Sequence, residues 1–361
     1  MGVTLGSRER IQKILKREIP DRVGLDESFW GDTMKAWVPQ GYPAGAPPHQ
    51  VFGLDMIRGG GFNLVGFTGR REVLEETDEW VLAKDANLAT MRNWKSRAGT
   101  PEHIDFEVRN GETWRATGLR DAFRAFQPER INLEALARAK ETARKEDRFF
   151  VLTFAEIFEL GKNVAGHVNM CIGMIEEPEW IHDMFGAFAD MIIGCCQYAF
   201  ERIGLPDGVM IFGDMGFKAK PFISLPMHNE LVLPHNRKII HYLKAKGLPV
   251  IFHSCGFYEP LVPGFIESGI DMLQAMEVKA GVDLRRLKPL YGDKIGFEGN
   301  VDVRALESND LARVEEEVRV KVLCGKEGGG YIFHSDHSIP HSVQLKTYEF
   351  ALECAKKYGA Y

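Results

Sequence analysis

From Phe149 onward the chain repeats one unit, a short apolar run followed by a longer amphipathic one, and this alternation restricts the fold more than any other feature. The apolar runs are FFVLTF (149–154), GVMIF (208–212), PVIFH (249–253), DMLQA (271–275), KIGFEG (294–299) and GYIFH (330–334), all of strand length. Helical patterns alternate with them, the main ones at about 178–203, 228–246, 256–267, 310–323 and 343–357. Strand then helix, repeated, specifies a parallel sheet wound by right-handed crossovers. Six such units, with one or two more in the first third, close an eight-stranded (β/α)8 TIM barrel. A chain of 361 residues suits one such barrel with insertions, since these run from about 200 to over 400 residues.

The first third is less regular. SRERIQKILKR (7–17) puts Ile11, Ile14 and Leu15 on one helical face before Pro20 stops it, and Arg22 to Leu25 reads as the first strand. Residues 29–48 mix Trp30, Trp37 and Tyr42 with glycines and four prolines, an elaborated loop or short helices able to cover a site. REVLEETDEWVLAKDANLATMRNWK (71–95) has a period near two and reads as hairpin, with an extended TPEHIDFEV (100–108) after it. Helical patterns follow at 111–124 and 131–145. The reading is therefore a single domain, 1–361, with residues of about 26–125 as loop and hairpin elaborations on the first part of the barrel.

Composition narrows the function. No apolar run approaches the roughly 20 residues that span a bilayer, so no membrane segment is expected. The amino terminus has no apolar core with a small-residue cleavage site, and six cysteines are too few for a disulfide scaffold in this length; both suit a reducing cytoplasm. A net charge of -6 without a basic cluster argues against a nucleic-acid partner.

A barrel gathers its chemistry where strands pass to loops, and polar residues fall there: Asp214 after GVMIFG, His253 and Cys255 after PVIF, Gln274 and Glu277 near the end of DMLQA, Asn300 and Asp302 after KIGFEG, and His334, Asp336 and His337 after GYIF. His253 and Cys255 stand at alternate positions of an extended strand, hence on the same side, and can hold zinc if a third ligand arrives from elsewhere. The plainer alternative is a hydrogen-bonded histidine and a small buried thiol. Asp214 otherwise makes a turn at the barrel rim, and the His334–His337 cluster otherwise caps a helix. Glu156 and Glu159 follow VLTF; Glu156, nearer the strand end, is the candidate fourth ligand. Phe29, Trp30 and Trp37 can line a pocket for a flat ring, although such aromatics also build cores. Adjacent Cys195 and Cys196 diverge on a helix and belong to the core. Gly328 to Gly330 has no following Lys-Ser/Thr and is not a phosphate loop.

Taken together, ERIQKILKREIPDRV, FGDMGFKAKPFIS, HSCGFYEPLVPGFIESGID and GGGYIFHSDHSIP resemble blocks of the uroporphyrinogen decarboxylase superfamily, which includes the methylcobamide-dependent methyltransferases. The resemblance implies a single TIM barrel and a homodimer. Where true decarboxylases carry an arginine-rich run for the substrate's carboxylates, this chain reads VGLDESFWGDTMKAW, and a propionate-rich tetrapyrrole would lack its partners. The methyltransferase branch is matched better, through its zinc-holding His-x-Cys pair at His253 and Cys255; His337 stands where that branch has a later cysteine. The resemblance then implies zinc on His253, Cys255 and His337, with Glu156 as candidate fourth ligand. It implies Asp214 and His337 in proton or substrate handling, Asp336 orienting an imidazole, and His334 beside the substrate. The expected reaction is demethylation of a small methyl donor, an aryl methyl ether among the candidates. Cobalamin would come on a separate corrinoid protein, because no Asp-x-His-x-x-Gly signature is present. The alternatives are a metal-free decarboxylase of a smaller substrate and a non-catalytic small-molecule-binding barrel.

Overall fold

The computed structural model describes residues 4–96 and 101–361, and its main sheet has eight parallel strands. These are β1 (Gly24–Leu25), β2 (Met56–Gly59), β3 (Phe149–Ala155), β4 (Gly208–Phe212), β5 (Val250–Ser254), β6 (Met272–Ala275), β7 (Gly296–Gly299) and β8 (Tyr331–Phe333). From β2 to β8 each strand bonds the next in chain order, and β1 returns beside β8. The remaining seam is bridged by the Asp55 N–H, which donates to the Leu25 carbonyl at 2.7 Å. The result is a nearly closed TIM barrel with helices between the strands, as the alternation requires.

The Asp55 side chain, fully buried, holds the amino end of this seam. It accepts from the Leu25 N–H (2.8 Å), Ser7 Oγ (2.7 Å), Arg10 Nη1 (2.8 Å) and Arg22 Nη1 (2.8 Å). A buried carboxylate is tolerated only with such a set of donors.

Pleating explains what fills the barrel. Met56, Phe149, Val151, Met210, Ile251, Met272 and Ile332 pack with Ile11, Ile14 and Leu15 of the helix Ser7–Leu15 into one buried apolar layer, which plugs the amino end. Successive strand residues face opposite sides, so the residue two further along each strand also points inward. Those residues are Arg58, Thr153, Phe212, His253, Gln274 and His334, with Asp26 and Glu298 in the same register from Gly24 and Gly296. One step of the pleat therefore converts an apolar floor into a layer that is polar at every strand except β4, where Phe212 stands.

The hairpin segment folds as an antiparallel sheet of four strands, Glu72–Glu76, Trp80–Lys84, Ala89–Trp94 and Glu102–Phe106. It was expected as hairpin plus extension; Thr100, at the start of the expected extension, lies outside the described residues. Two differences from the sequence reading stand out. β2 lies inside the segment read only as elaboration, because four residues flanked by glycines carry little strand signal. A helix at Ile157–Glu176 was also not expected: its periodicity breaks at Gly166, whose φ of 73° is non-helical. A Cβ there would stand 2.5 Å from the Phe106 ring, so the four-stranded sheet packs directly on that break.

Candidate active site

Where β4 and β5 end, Asp214, His253 and Cys255 converge. Cys255 Sγ lies 3.3 Å from His253 Nε2, Asp214 Oδ1 lies 3.5 Å from the same nitrogen, and all three candidate ligand atoms are within 4.8 Å of one another. The register that pairs His253 with Phe212 brings the acid beside the thiol, and the Cys255 N–H fixes it by donating to Asp214 Oδ1 at 3.1 Å. The loops cross tightly behind the cluster. Gly256 has φ 72°, and a Cβ there would stand 2.3 Å from the Gly216 carbonyl carbon; the Gly216 N–H donates to the Cys255 carbonyl at 3.1 Å.

Electrostatics follow from this grouping. Burial works against both charged forms. Even so, the bond to His253, with Lys162 nearby, holds the Asp214 carboxyl well below its usual range. His253 lies well above its ordinary value: burial lowers it, and Cys255 and Asp214 more than reverse that. The Cys255 thiol is raised by burial, against the pull of His253. His253 Nδ1 bonds Gln274 Oε1, which as an acceptor requires the proton on Nδ1 and leaves Nε2 facing the acid and the thiol. An imidazole nitrogen, a thiolate and a carboxylate oxygen, with Asp214 at 44% side-chain exposure, make a donor set suited to zinc with a fourth position open to the mouth.

Gln274 links this cluster to a second one. Its Nε2 lies 3.4 Å from His334 Nε2, while His334 Nδ1 bonds the Ser335 carbonyl at 2.6 Å. Burial, with Arg58 nearby, keeps His334 far below its ordinary value and hence neutral. Behind it lie Asp26, Glu298 and Arg58, the guanidinium bonding Glu298 Oε1 at 2.7 Å and also Asp26, with Asp26 and Glu298 hydrogen-bonded to each other. Burial raises both acids against the pull of Arg58. Glu27, which accepts from Ser335 N–H (3.0 Å) and Oγ (2.8 Å), is pushed up by burial to about 8.

A cavity of about 630 Å³ opens beside the first cluster at the carboxyl ends of β2, β3 and β4. Phe62, Phe154 and Phe212 make its apolar wall, Arg58 and Thr153 belong to the barrel's polar layer, and Met91 and His103 of the four-stranded sheet roof it.

The expected residues therefore divide. Asp214, His253 and Cys255 come together, with Asp214 in the position expected for a third ligand. His337 does not join them: its ring stacks on Trp30 at 6.0 Å, beside the mouth, where Trp30 is 45% exposed. Glu156 is corrected from ligand to helix cap. Its fully buried carboxylate accepts from Phe158 N–H (2.8 Å), Glu159 N–H (2.7 Å) and Asn236 Nδ2 (3.1 Å). Asp336 orients no imidazole, because its two oxygens bond the Val278 N–H (2.8 Å) and Val303 N–H (2.9 Å) and tie two rim loops together. Phe29 and Trp37 are corrected from pocket to core. They pack with Phe52 and Tyr348, and the fully buried Trp37 donates to the Val343 carbonyl at 2.7 Å. His334 lies in the buried second cluster. Sequence reasoning missed Asp26, Glu27, Arg58 and Glu298 as site residues and gave Gln274 no role beyond its place at a strand end; for Arg58 and Gln274 the signal was a spacing of two from the plug residues Met56 and Met272.

Fold and site define a TIM barrel with a polar interior layer at the carboxyl ends of its strands. The chain belongs to the uroporphyrinogen decarboxylase (URO-D) family, whose model matches residues 132–358. Among curated relatives, the uroporphyrinogen decarboxylase of Myxococcus xanthus is 27% identical over 188 residues, 52% of this chain and 50% of that protein. That of Pectobacterium atrosepticum is 30% identical over 175 residues, 47% and 46% respectively. The chain thus spans about half the length of the curated relatives it matches. Among solved structures, a methyltransferase from Methanosarcina mazei superposes with a TM-score of 0.69 at 14% identity, covering 98% of this chain and 99% of that one, a likeness of fold. Among the described residues, no helix is long and apolar enough to cross a membrane.

Proposed function

We propose that this chain is a methyltransferase that removes a methyl group from an oxygen or nitrogen of a small donor and passes it to cobalt(I) of a separate corrinoid protein. The observation that carries the reading is the convergence of Asp214 Oδ1, His253 Nε2 and Cys255 Sγ within 4.8 Å at the barrel mouth. Zinc held by these three side chains would supply a Lewis acid for the leaving oxygen or nitrogen of the donor. Gln274 fixes the His253 tautomer, Asp214 and Cys255 would supply anionic donors to the metal, and His337, half-buried against Trp30, is our candidate for proton handling. The test is an anaerobic assay with a reduced corrinoid protein and a panel of methoxylated aromatics and methylamines. Methylation of the corrinoid by the native chain, abolished in Cys255→Ser, is expected; equal rates in both would refute the reading.

One observation favours a second reading, decarboxylation of a small carboxylate. Glu27, pushed up to about 8, keeps a proton at neutral pH within the buried group that also holds Arg58, where a product carbanion can be protonated. Release of carbon dioxide by zinc-free protein would select it.

A further inference from the structure

Glu159, the second acid after β3, is not among the candidate ligands that converge at the mouth, and it does not face open solvent either: its side chain is 19% exposed. Lys162 follows three positions on, on the same face of the helix Ile157–Glu176, and the two form an ion pair in which the lysine side chain is 7% exposed. An ion pair this enclosed is often no better for stability than apolar residues of like shape, so its use lies in what else it holds.

What it holds is the main chain of Asp214. Glu159 Oε2 accepts from the Asp214 N–H at 3.1 Å, and Lys162 Nζ donates to the Asp214 carbonyl at 3.4 Å. Asp214 lies in an irregular stretch just beyond β4, where a ligand needs such a grip to keep one position. The stretch is pressed against the start of the helix: a Cβ at Gly213 would stand 1.9 Å from Oε1 of Glu156, the capping carboxylate. From the other side, the Gly213 N–H donates to the His253 carbonyl at 3.0 Å, and the Cys255 N–H donates to the Asp214 carboxylate. The helix thus fixes the backbone from which that carboxylate projects, while β5 and the turn after it fix the carboxylate itself. His103 and His167, the imidazoles near Lys162, are lowered by burial and by its charge, His167 to about 4, so both are neutral at pH 7 and the ion pair is the charged part of this wall.

We propose that Glu159, locked in place by Lys162, is a positioning residue for the mouth cluster: by holding the Asp214 N–H it sets where the Asp214 carboxylate stands relative to His253 Nε2 and Cys255 Sγ. The inference rests on the reading of those three side chains as metal ligands. Glu159 itself touches neither metal nor substrate in this role.

Two paired variants of the full chain test it, both removing the charges while keeping the bulk. Glu159→Gln/Lys162→Met retains an oxygen for the Asp214 N–H, and Glu159→Leu/Lys162→Met does not. The measurements are zinc affinity by competition with a chromophoric chelator, the visible spectrum of the cobalt(II)-substituted chain, and the midpoint of chemical denaturation. The Gln pair is expected to bind zinc within about threefold of native with the native cobalt spectrum, and the Leu pair about tenfold more weakly with shifted cobalt bands. Equal affinity and spectra in the two pairs, or a full tenfold loss already in the Gln pair, would overturn the proposal. If the Leu pair does not fold, the Gln pair decides alone: native affinity supports the oxygen contact, and a tenfold loss refutes it. A native chain that binds no zinc would remove the metal-site reading and this inference with it, whereas native binding with no difference between the pairs would remove the inference alone.

Discussion

The Cys255 N–H donates to Asp214 Oδ1 at 3.1 Å across the seam between β4 and β5, so the carboxylate is anchored to the backbone of the residue that carries the thiol. A site prearranged in this way spends less of its binding energy on ordering ligands.

Asp214→Asn separates the positional from the electrostatic part of that arrangement. The amide oxygen still accepts from Cys255 N–H, while the charge opposite His253 is gone. Thermal stability is expected to stay near native and zinc affinity to fall about 10- to 100-fold, read by competition with a chromophoric chelator. Unchanged affinity would exclude Asp214 as a ligand.

Gln274 orients His253 and contacts His334, so its loss should be felt at the metal rather than in the fold. Gln274→Leu is expected to weaken zinc by roughly tenfold and to shift the visible spectrum of the cobalt(II)-substituted protein. Gln274→Glu keeps an acceptor for the His253 Nδ1–H and is expected to restore most of the affinity. Equal behaviour of both variants would contradict the orienting role.

At Gly256 the backbone conformation and the 2.3 Å approach to Gly216 both exclude a side chain. Gly256→Ala must part the two loops, at an expected cost of about 2–4 kcal/mol in chemical denaturation together with loss of zinc affinity. Gly247→Ala has the same sign of φ but open space around it, so it should show only the smaller backbone penalty.

Glu27 gives a pH dependence whose sign is fixed by its surroundings. Burial raises its folded value to about 8 against an ordinary 4.5, so the folded chain keeps a proton that the unfolded chain has lost. Its contribution is full below about pH 4.5 and is lost as pH rises towards 8. Relative to native protein, Glu27→Gln is expected to gain stability across that window, by roughly 3 kcal/mol in total, in denaturant titrations at pH 5 and 8. A pH-independent difference would show that Glu27 is already ionised in the fold.

Barrel and site were legible to different degrees. The helix Pro178–Ile203 and strand β4 match the sequence reading residue for residue, because long amphipathic or uniformly apolar runs carry their own period. His253 and Cys255 were legible as a pair, since alternation along one strand is a local property. Asp214 was marked as a site residue but not as their third partner, because that depends on the register between β4 and β5, which only pairing sets. Phe29 and Trp37 misled for the opposite reason: aromatic composition does not say which face is covered, and here Tyr348 of the last helix covers it. Arg58 and Glu298 escaped notice inside otherwise apolar strands, where a single charged residue looks like an interruption until the barrel closes around it.

The central claim is that Asp214, His253 and Cys255 share one metal ion, and X-ray absorption at the zinc edge of the zinc-loaded chain tests it most directly. The expected first shell has one sulfur at about 2.3 Å and nitrogen or oxygen donors at about 2.0–2.2 Å, with the sulfur lost in Cys255→Ser. A shell without sulfur in the native protein, or one that keeps its sulfur in that variant, would contradict the account.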